Sequence, residues 1–240
     1  VNWPYSYQYR TGQRYGQFFG YVAEGLFNTW DEVNDAARPV YKWNNNRVQP
    51  GDIRYKDVNG DGKIDDKDIV PIGYSNFPEI MFGLALGGSW KGIDFSILFQ
   101  GASNVSTMPS RRTRRGFYTG TGANRDLLKS WSRERYEQGL EISYPRYSVS
   151  NDEHNQVVST YWLEDASYLR LKSIEIGYSL TASWLSKAGV SNVRFYFNGN
   201  NILTFCRLYP GEDPEYPIVE ANAEPYPLTR IFNMGVNINF

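Results

Sequence analysis

The last eleven residues of the chain, from Arg230 to Phe240, alternate between apolar side chains and polar or small ones. The apolar members are Phe232, Met234, Val236, Ile238 and Phe240. Because successive side chains of a β-strand point to opposite faces, a period of two residues predicts a strand with one apolar and one polar face.

The same alternation occurs at four further places. It runs from Ile80 to Leu86 and again from Ile93 to Phe99, and the glycine-rich stretch 87–92 between them predicts a hairpin. It also occurs over 174–180 and 193–197, and a weaker sixth candidate strand spans 15–27. We therefore predict an all-β, antiparallel protein.

One of these strands contains a break in its period. Leu169 and Leu171 have the opposite parity to Ile174. This predicts either a β-bulge near Lys172 and Ser173 or a segment that already lies beyond the apolar part of the strand.

The connections between the predicted strands alternate between long and short. The long ones are 27–77, 102–167 and 206–227, whereas the joins at 88–92 and 181–192 are short. Outer-membrane barrels combine short periplasmic turns with long extracellular loops, so we expect about six strands of a transmembrane β-barrel with three extracellular loops. A secreted β-sandwich with large inserts is the alternative.

Composition excludes several other classes of protein. A net charge of −1 gives no overall electrostatic basis for binding nucleic acid. One Cys and one His exclude a disulfide framework and a zinc site built from Cys and His clusters. The longest apolar run, 80–88, is too short for a membrane helix. Residues 1–4 lack the features of a signal peptide, so we expect the chain to be part of a longer polypeptide.

Residues 57–68 match the spacing of a twelve-residue calcium loop. The expected ligands are Asp57, Asn59, Asp61, the carbonyl of Lys63, Asp65 and Asp68. Gly62 stands where such loops turn sharply, and Ile64 where they carry an inward apolar residue. Since extended chain rather than a helix precedes the loop, we expect a structural calcium site within the 27–77 loop.

Other polar and aromatic groups leave alternatives open. The basic run 111–115 is either a solvated loop segment or a contact for an anionic ligand. Rings in the long connections either pack within the loops or stack on sugars. His154 lies in a polar stretch, so we expect it at an ordinary polar loop position, and no catalytic arrangement forms around it. We therefore predict that the chain is not an enzyme.

Several motifs together resemble the C-terminal part of the SusC/RagA family of TonB-linked outer-membrane transporters. They are Gly51–Asp65, Ile72–Asn76, Phe95–Gly101, Tyr168–Lys172, Glu175–Ser179, Phe197–Asn201 and Tyr226–Phe240. The resemblance runs from about Tyr15 to the end of the chain and keeps the order of the family.

The resemblance implies a barrel of about 22 strands with a plug domain and a TonB-binding segment, both absent from these residues. It implies import of oligosaccharides, or of peptides, across the outer membrane of a Gram-negative bacterium. The implied partners are the remainder of the barrel, TonB, outer-membrane lipid and a SusD-like surface lipoprotein. A secreted, calcium-stabilised, β-rich module that binds carbohydrate is the competing interpretation.

Overall fold

A computed structural model describes residues 3–109, 114–117, 122–123, 125–148, 152–208, 213–215 and 228–240. These residues separate into two compact units. The loop unit contains residues 3–77 and the described residues between 106 and 164. The sheet unit contains the described residues of 78–105 and 165–240.

Strands are the main regular elements of the described residues. They are β1 (Gln17–Gly20), β2 (Ala23–Leu26), β3 (Val40–Tyr41), β4 (Ile53–Tyr55), β5 (Lys63–Ile64), β6 (Val70–Ser75), β7 (Ile80–Trp90), β8 (Ile93–Ser103), β9 (Ser106–Thr107), β10 (Glu164–Asp165), β11 (Tyr168–Leu180), β12 (Asn192–Cys206) and β13 (Ile231–Asn239). The α-helices are α1 (Trp30–Asn34), α2 (Arg133–Glu137) and α3 (Ser183–Lys187). Short 3₁₀ turns lie at Ser6–Gln8, Asn44–Asn46, Asp66–Asp68, Arg125–Lys129 and His154–Gln156.

Five long strands make one sheet in the order β13-β12-β11-β8-β7. Every neighbouring pair is antiparallel. The all-β, antiparallel prediction is therefore confirmed, and the five described strands form an open sheet. None of the described helices is long and apolar enough to span a membrane.

The β7–β8 hairpin has a tighter turn than the glycine run suggested. Trp90 pairs with Ile93, so only Lys91 and Gly92 lie in the turn. Both have positive φ, +49° and +84°, which is the backbone geometry of a two-residue type I′ turn and fits the twist of the strands that it joins.

The predicted bulge is present in β11. Leu171 pairs with Phe99, but Ser173 pairs with the next residue of β8, Leu98, which leaves Lys172 as the extra residue. Because the bulge shifts the phase by one residue, it brings Leu169 and Leu171 onto the same face as the isoleucines that follow.

The sixth candidate strand, 15–27, was predicted wrongly as a continuous strand. It forms the short strands β1 and β2 in the loop unit, where β1 pairs with β6 and β2 pairs with β4. Tyr21 and Phe27 are buried in the core of that unit. Their alternation reflects packing against loop residues and not a place in the five-stranded sheet.

The predicted 27–77 loop contains structure of its own. Strands β3, β4, β5 and β6 all lie within it. Its core packs Tyr41, Trp43, Ile53 and Tyr55 together with Trp162 from the 102–167 connection. Both long connections thus contribute to one hydrophobic core, while their extracellular location stays a prediction.

Candidate functional site

One face of the five-stranded sheet is apolar and exposed. Cross-strand pairs such as Ile176 with Phe197, and Phe197 with Met234, continue the apolar surface from strand to strand. Met234 is 83% exposed and Phe232 54%. The same surface includes Leu84, Leu86, Phe95, Phe195, Val236 and Ile238. Water-soluble monomers rarely expose an apolar surface that extends over several neighbouring strands, so this face requires an apolar environment or a partner.

The opposite face is polar and contains a charged cluster around Arg194 of β12. Arg194 donates from Nη2 to Glu175 at 2.7 Å and from Nε to Asp94 at 3.1 Å. Asn198 donates to Glu175 at 3.4 Å, and Asn233 donates to Asn198 at 3.0 Å. One guanidinium and two carboxylates give this cluster a formal charge of −1.

A second charged cluster surrounds Arg170 of β11. The Arg170 side chain is 2% exposed and pairs with Glu215 and with Asp213, the latter at 2.7 Å. Its Nε donates to Thr204 Oγ1 at 3.0 Å. Tyr168 Oη donates to Glu215 at 2.8 Å.

The division of residues between the two faces was predicted correctly. Register places Asn233, Asn198 and Glu175 opposite one another, and Asn237 opposite Arg194. The Arg170 cluster was missed, because Asp213 and Glu215 lie more than forty residues away from Arg170 in the chain. The available signal was the presence of Arg170 and Lys172 in the Tyr168–Lys172 alternation, since charged side chains in a strand seldom lack a partner.

The predicted calcium loop has the hydrogen-bond pattern of a tight carboxylate-lined turn. Asp57 accepts from the amides of Gly60 and Gly62, both at 2.7 Å. Asn59 Oδ1 accepts from the Asp61 amide and Asp61 Oδ1 from the Lys63 amide, both at 3.0 Å. Gly62 has φ +78°, as the sharp turn at this position requires.

Asp68 and Asp65 close the other end of the loop. Asp68 is buried and accepts from the amides of Val58 at 2.8 Å and Asp65 at 2.9 Å. Burial raises the pKa of Asp68. Ile64 is fully buried, as the loop pattern predicts.

A lysine occupies part of the environment that a cation would use. Lys67 Nζ lies 3.1 Å from Asp61 and 4.0 Å from Asp65, and its hydrogen bond lowers the pKa of Asp61. Across the described residues, no group of three or more His, Cys, Asp and Glu side chains is arranged to hold a metal. The residue types and the turn geometry match the calcium-loop pattern, but the carboxylates of the described residues are not grouped around one cation position, so the ligand assignments stay predictions.

His154 is a core residue of the loop unit. It is 1% exposed, its Nε2 lies 2.6 Å from the Ile53 carbonyl oxygen, and its ring packs on Tyr41 and Trp43. Burial lowers the pKa of His154, which favours the neutral ring. The expectation of an ordinary polar loop position was wrong, because the residue lies on a turn that inserts into the aromatic core.

A buried polar network lies beside this histidine. Asn155 donates to Asp52 at 2.7 Å and accepts from the Ile53 amide at 2.9 Å. Arg146 forms ion pairs with Asp52 at 2.5 Å and with Asp152 at 2.8 Å. These bonds join the two long connections through residues about a hundred positions apart.

Some residues of the basic run and some aromatic residues of the long connections have structural roles. Arg114 is buried, donates to the Gln156 carbonyl at 3.1 Å and lies over the Trp162 ring, while residues 111–113 lie outside the described part of the chain. Tyr41, Trp43 and Trp162 are core residues. Trp30 is 58% exposed, which leaves it accessible to a ligand.

Curated proteins similar to this chain are TonB-dependent receptors by name. TonB-dependent receptor P3 of Formosa agariphila is 28% identical over 242 residues, which cover 96% of this chain and 23% of the relative. TonB-dependent receptor SusC of Bacteroides thetaiotaomicron is 26% identical over 228 residues, which cover 92% of this chain and 20% of the relative. The chain thus spans about a fifth of the length of these relatives. No protein-family model matches it.

Solved structures with a similar fold include the RagAB peptide transporter. The TM-score is 0.64 at 22% identity, and the match covers 93% of this chain and 23% of that one. The RagAB peptide importer in its closed-closed state gives a TM-score of 0.63 at 21% identity. The fold of this chain is therefore found as a quarter or less of a larger transporter chain.

Proposed function

The chain is a homologue of TonB-dependent receptors that include SusC, and on that premise we propose that it forms part of the barrel wall and surface loops of an outer-membrane nutrient importer. The proposal rests on one observation above all, the sheet with an exposed apolar face and a charged opposite face. In a membrane barrel the apolar face contacts lipid, and the polar face lines the water-filled interior.

The lengths of the strands support this assignment. Strands β7, β8 and β11 have 11, 11 and 13 residues, and a tilted strand needs about 9–11 residues to cross the hydrocarbon layer. Cross-strand hydrogen bonds satisfy the backbone polar groups within the sheet, as a spanning structure requires. The outer strands β7 and β13 then pair with the remainder of the barrel.

The nutrient that we propose is an oligosaccharide, with a SusD-like lipoprotein as the surface partner and TonB acting through another part of the polypeptide. A curated relative named SusC supports the partner. Exposed rings such as Trp30 in the loop unit offer surfaces on which sugars stack. The peptide transport named for the RagAB structures makes peptides the alternative nutrient.

Membrane fractionation tests the wall assignment. The full-length protein that contains this chain is expressed in its host, and total membranes are extracted first with salt and then with detergent. We expect it to stay with the outer membrane until detergent is added. Release in soluble form by salt alone would contradict the proposal and favour a secreted carbohydrate-binding module.

Uptake measurements test the nutrient. Cells that lack the gene are compared with complemented cells for accumulation of labelled oligosaccharides and of labelled oligopeptides. Restoration of oligosaccharide uptake alone is the expected result, whereas restoration of peptide uptake alone would replace the proposed nutrient.

We also propose that the 57–68 loop binds a structural calcium ion. Burial of the Asp68 carboxylate disfavours its charged form, and a cation beside it would offset that cost. Ca²⁺ prefers six to eight oxygen ligands, and the side chains and one carbonyl of this loop would supply them. The ion would hold the loop closed and displace the Lys67 ammonium from Asp61.

Limited proteolysis of the full-length protein with and without calcium tests this second proposal. Calcium is expected to slow cleavage within 57–68, and Asp57→Asn should abolish the protection. Asp31→Asn, at an acidic residue outside the loop, is the matched control and should keep it. Equal cleavage with and without calcium would refute calcium binding.

A further inference from the structure

The Arg170 cluster joins a fixed set of donors to acceptors from an irregular segment. The donors lie on two adjacent strands, with Gln100 on β8 and Arg170 opposite it on β11, and Thr204 on β12 accepts a hydrogen bond from Arg170. Their positions are set by the sheet hydrogen bonds, so they share the polar face. The carboxylates come from Asp213 and Glu215, which belong to neither a strand nor a helix.

Glu215 is surrounded by hydrogen-bond donors. Besides Arg170, its carboxylate receives Tyr168 Oη at 2.8 Å, Gln100 Nε2 at 2.8 Å and Lys172 Nζ at 3.4 Å. Neutral and cationic donors that converge on one carboxylate form a complete carboxylate-binding site. The Glu215 side chain remains 28% exposed, so this site opens to solvent at the acid.

The charges of the cluster show that its basic residues require the carboxylates. Arg170 and Lys172 contribute two positive charges, and Asp213 and Glu215 two negative ones, so the occupied site is neutral. A guanidinium that is almost completely buried needs an anion, because desolvation without a partner is costly. The sheet donors therefore require a carboxylate, and its source in this structure is the chain itself.

We propose that Gln100, Tyr168, Arg170 and Lys172 form a recognition site for a carboxylate-bearing ligand, in which Glu215 stands in for the ligand. This inference rests on the proposed function, because a ligand reaches the polar face only if that face lines the import route. The ligand class is an acidic peptide or a uronic-acid oligosaccharide, which share the carboxylate. Binding exchanges the carboxylates of Asp213 and Glu215 for those of the ligand.

The Arg194 cluster offers a contrast on the same face. There one guanidinium already serves two carboxylates that both belong to strands, Asp94 and Glu175. Because both partners are fixed in the sheet, neither can leave without a change in the strand. We therefore assign carboxylate exchange to Arg170 and not to Arg194.

The test uses the full-length transporter in detergent and two labelled probes, tetraglutamate and tetragalacturonate, in fluorescence anisotropy at low salt. In Asp213→Ala/Glu215→Ala the internal carboxylates are gone, and affinity for at least one probe should rise tenfold or more. The gain should disappear when Arg170→Gln is added and should shrink at high salt. A tetraglutamate gain alone identifies an acidic peptide, and a tetragalacturonate gain alone a uronic-acid glycan.

Controls keep the result separate from folding and from the proposed function. Tetraglutamine and a neutral galacto-oligosaccharide should show no gain, and thermal unfolding in detergent confirms that each variant remains folded. No gain for either acidic probe in folded Asp213→Ala/Glu215→Ala, or a gain that survives Arg170→Gln, would overturn the inference. Either result leaves the membrane fractionation intact, so failure of this site is distinguishable from failure of the wall assignment.

Discussion

Replacing Met234 with arginine tests whether the apolar face meets lipid. Met234 is 83% exposed on the apolar face of β13, and its neighbour Asn233 lies on the polar face, where it donates to Asn198. On the proposed wall assignment, Met234→Arg places a charge in lipid, whereas Asn233→Arg places it in the water-filled interior on the same face as Glu175. The two positions are adjacent in one strand, so their depths in the membrane nearly match.

The expected penalty follows from the position of Met234 in β13. Nine residues of strand at about 3.3 Å each and a tilt of about 40° span roughly 23 Å, close to the apolar band of about 25 Å. Met234 is one residue from the centre of this strand and hence about 3 Å from the midplane. Arginine there costs about 2–4 kcal/mol, which is about 30- to 700-fold in the folding equilibrium.

The assay is denaturant-dependent folding of the full-length protein into lipid vesicles. The folded fraction is read on gels from the difference in mobility between unheated samples, in which the barrel stays folded, and heated samples, in which it is unfolded. Met234→Arg should reduce the stability of the folded protein by about 2–4 kcal/mol and so move the midpoint to lower denaturant. Asn233→Arg should change the free energy of folding by less than about 1 kcal/mol. Equal losses for the two variants, or a larger loss for Asn233→Arg, would refute the assignment of the faces.

Three further results are expected. Deleting Lys172 removes the extra residue and leaves the two preceding leucines of β11 in phase with Ile174, so assembly into vesicles should persist; deleting Gly235 from β13, which pairs without a bulge, puts Phe232 and Met234 on the polar face, so assembly should fail. Because burial lowers the pKa of His154, the unfolded state takes up the proton first, and hydrogen exchange should show the loop unit losing stability as pH falls from 7 to 5; His154→Gln should flatten this dependence. Ile64→Ala, at a fully buried side chain, should lower the opening free energy of β3 and β5 by about 2–5 kcal/mol. Val40→Ala, at a half-exposed position in the same pair of strands, should change it by less than about 0.5 kcal/mol.

The sheet was largely predictable because its rule is local. Alternation identified β7, β8, β11, β12 and β13, and a single break in parity located the bulge at Lys172. When one face of a strand is apolar, every second residue is apolar. The residues on each face could therefore be predicted from one strand alone, without knowledge of its partner strands.

The loop unit was not predictable by the same rule. The rings of Tyr21 and Phe27 obey an alternating pattern, yet they pack in a core built from two distant segments. His154 is surrounded by polar residues in the sequence and by Tyr41, Trp43 and Tyr55 in the structure. A local sequence pattern predicts that a side chain is buried. It does not predict which distant residues that side chain packs against.

The Arg170 cluster shows the same limit at the level of the site. Several donors can be recognised in the sequence, because charged residues alternate with leucines in the short segment Tyr168–Lys172. Their acceptors, Asp213 and Glu215, follow a different strand and carry no motif of their own. Only the fold brings them together, so the composition of the site depends on a contact that has no local signal.

On the proposed wall assignment, the shared core of the two long connections also limits how the chain can cross the membrane. Asp52 and Asn155 bond to each other at 2.7 Å although they are 103 residues apart, with the β7–β8 hairpin between them. For that bond to form, both flanks of the hairpin must emerge on the same side of the bilayer, so the number of crossings between them must be even. The loop unit can therefore form only when an even number of membrane crossings separates the two segments. An odd number would place Asp52 and its amide partner on opposite sides of the membrane and would divide the aromatic core.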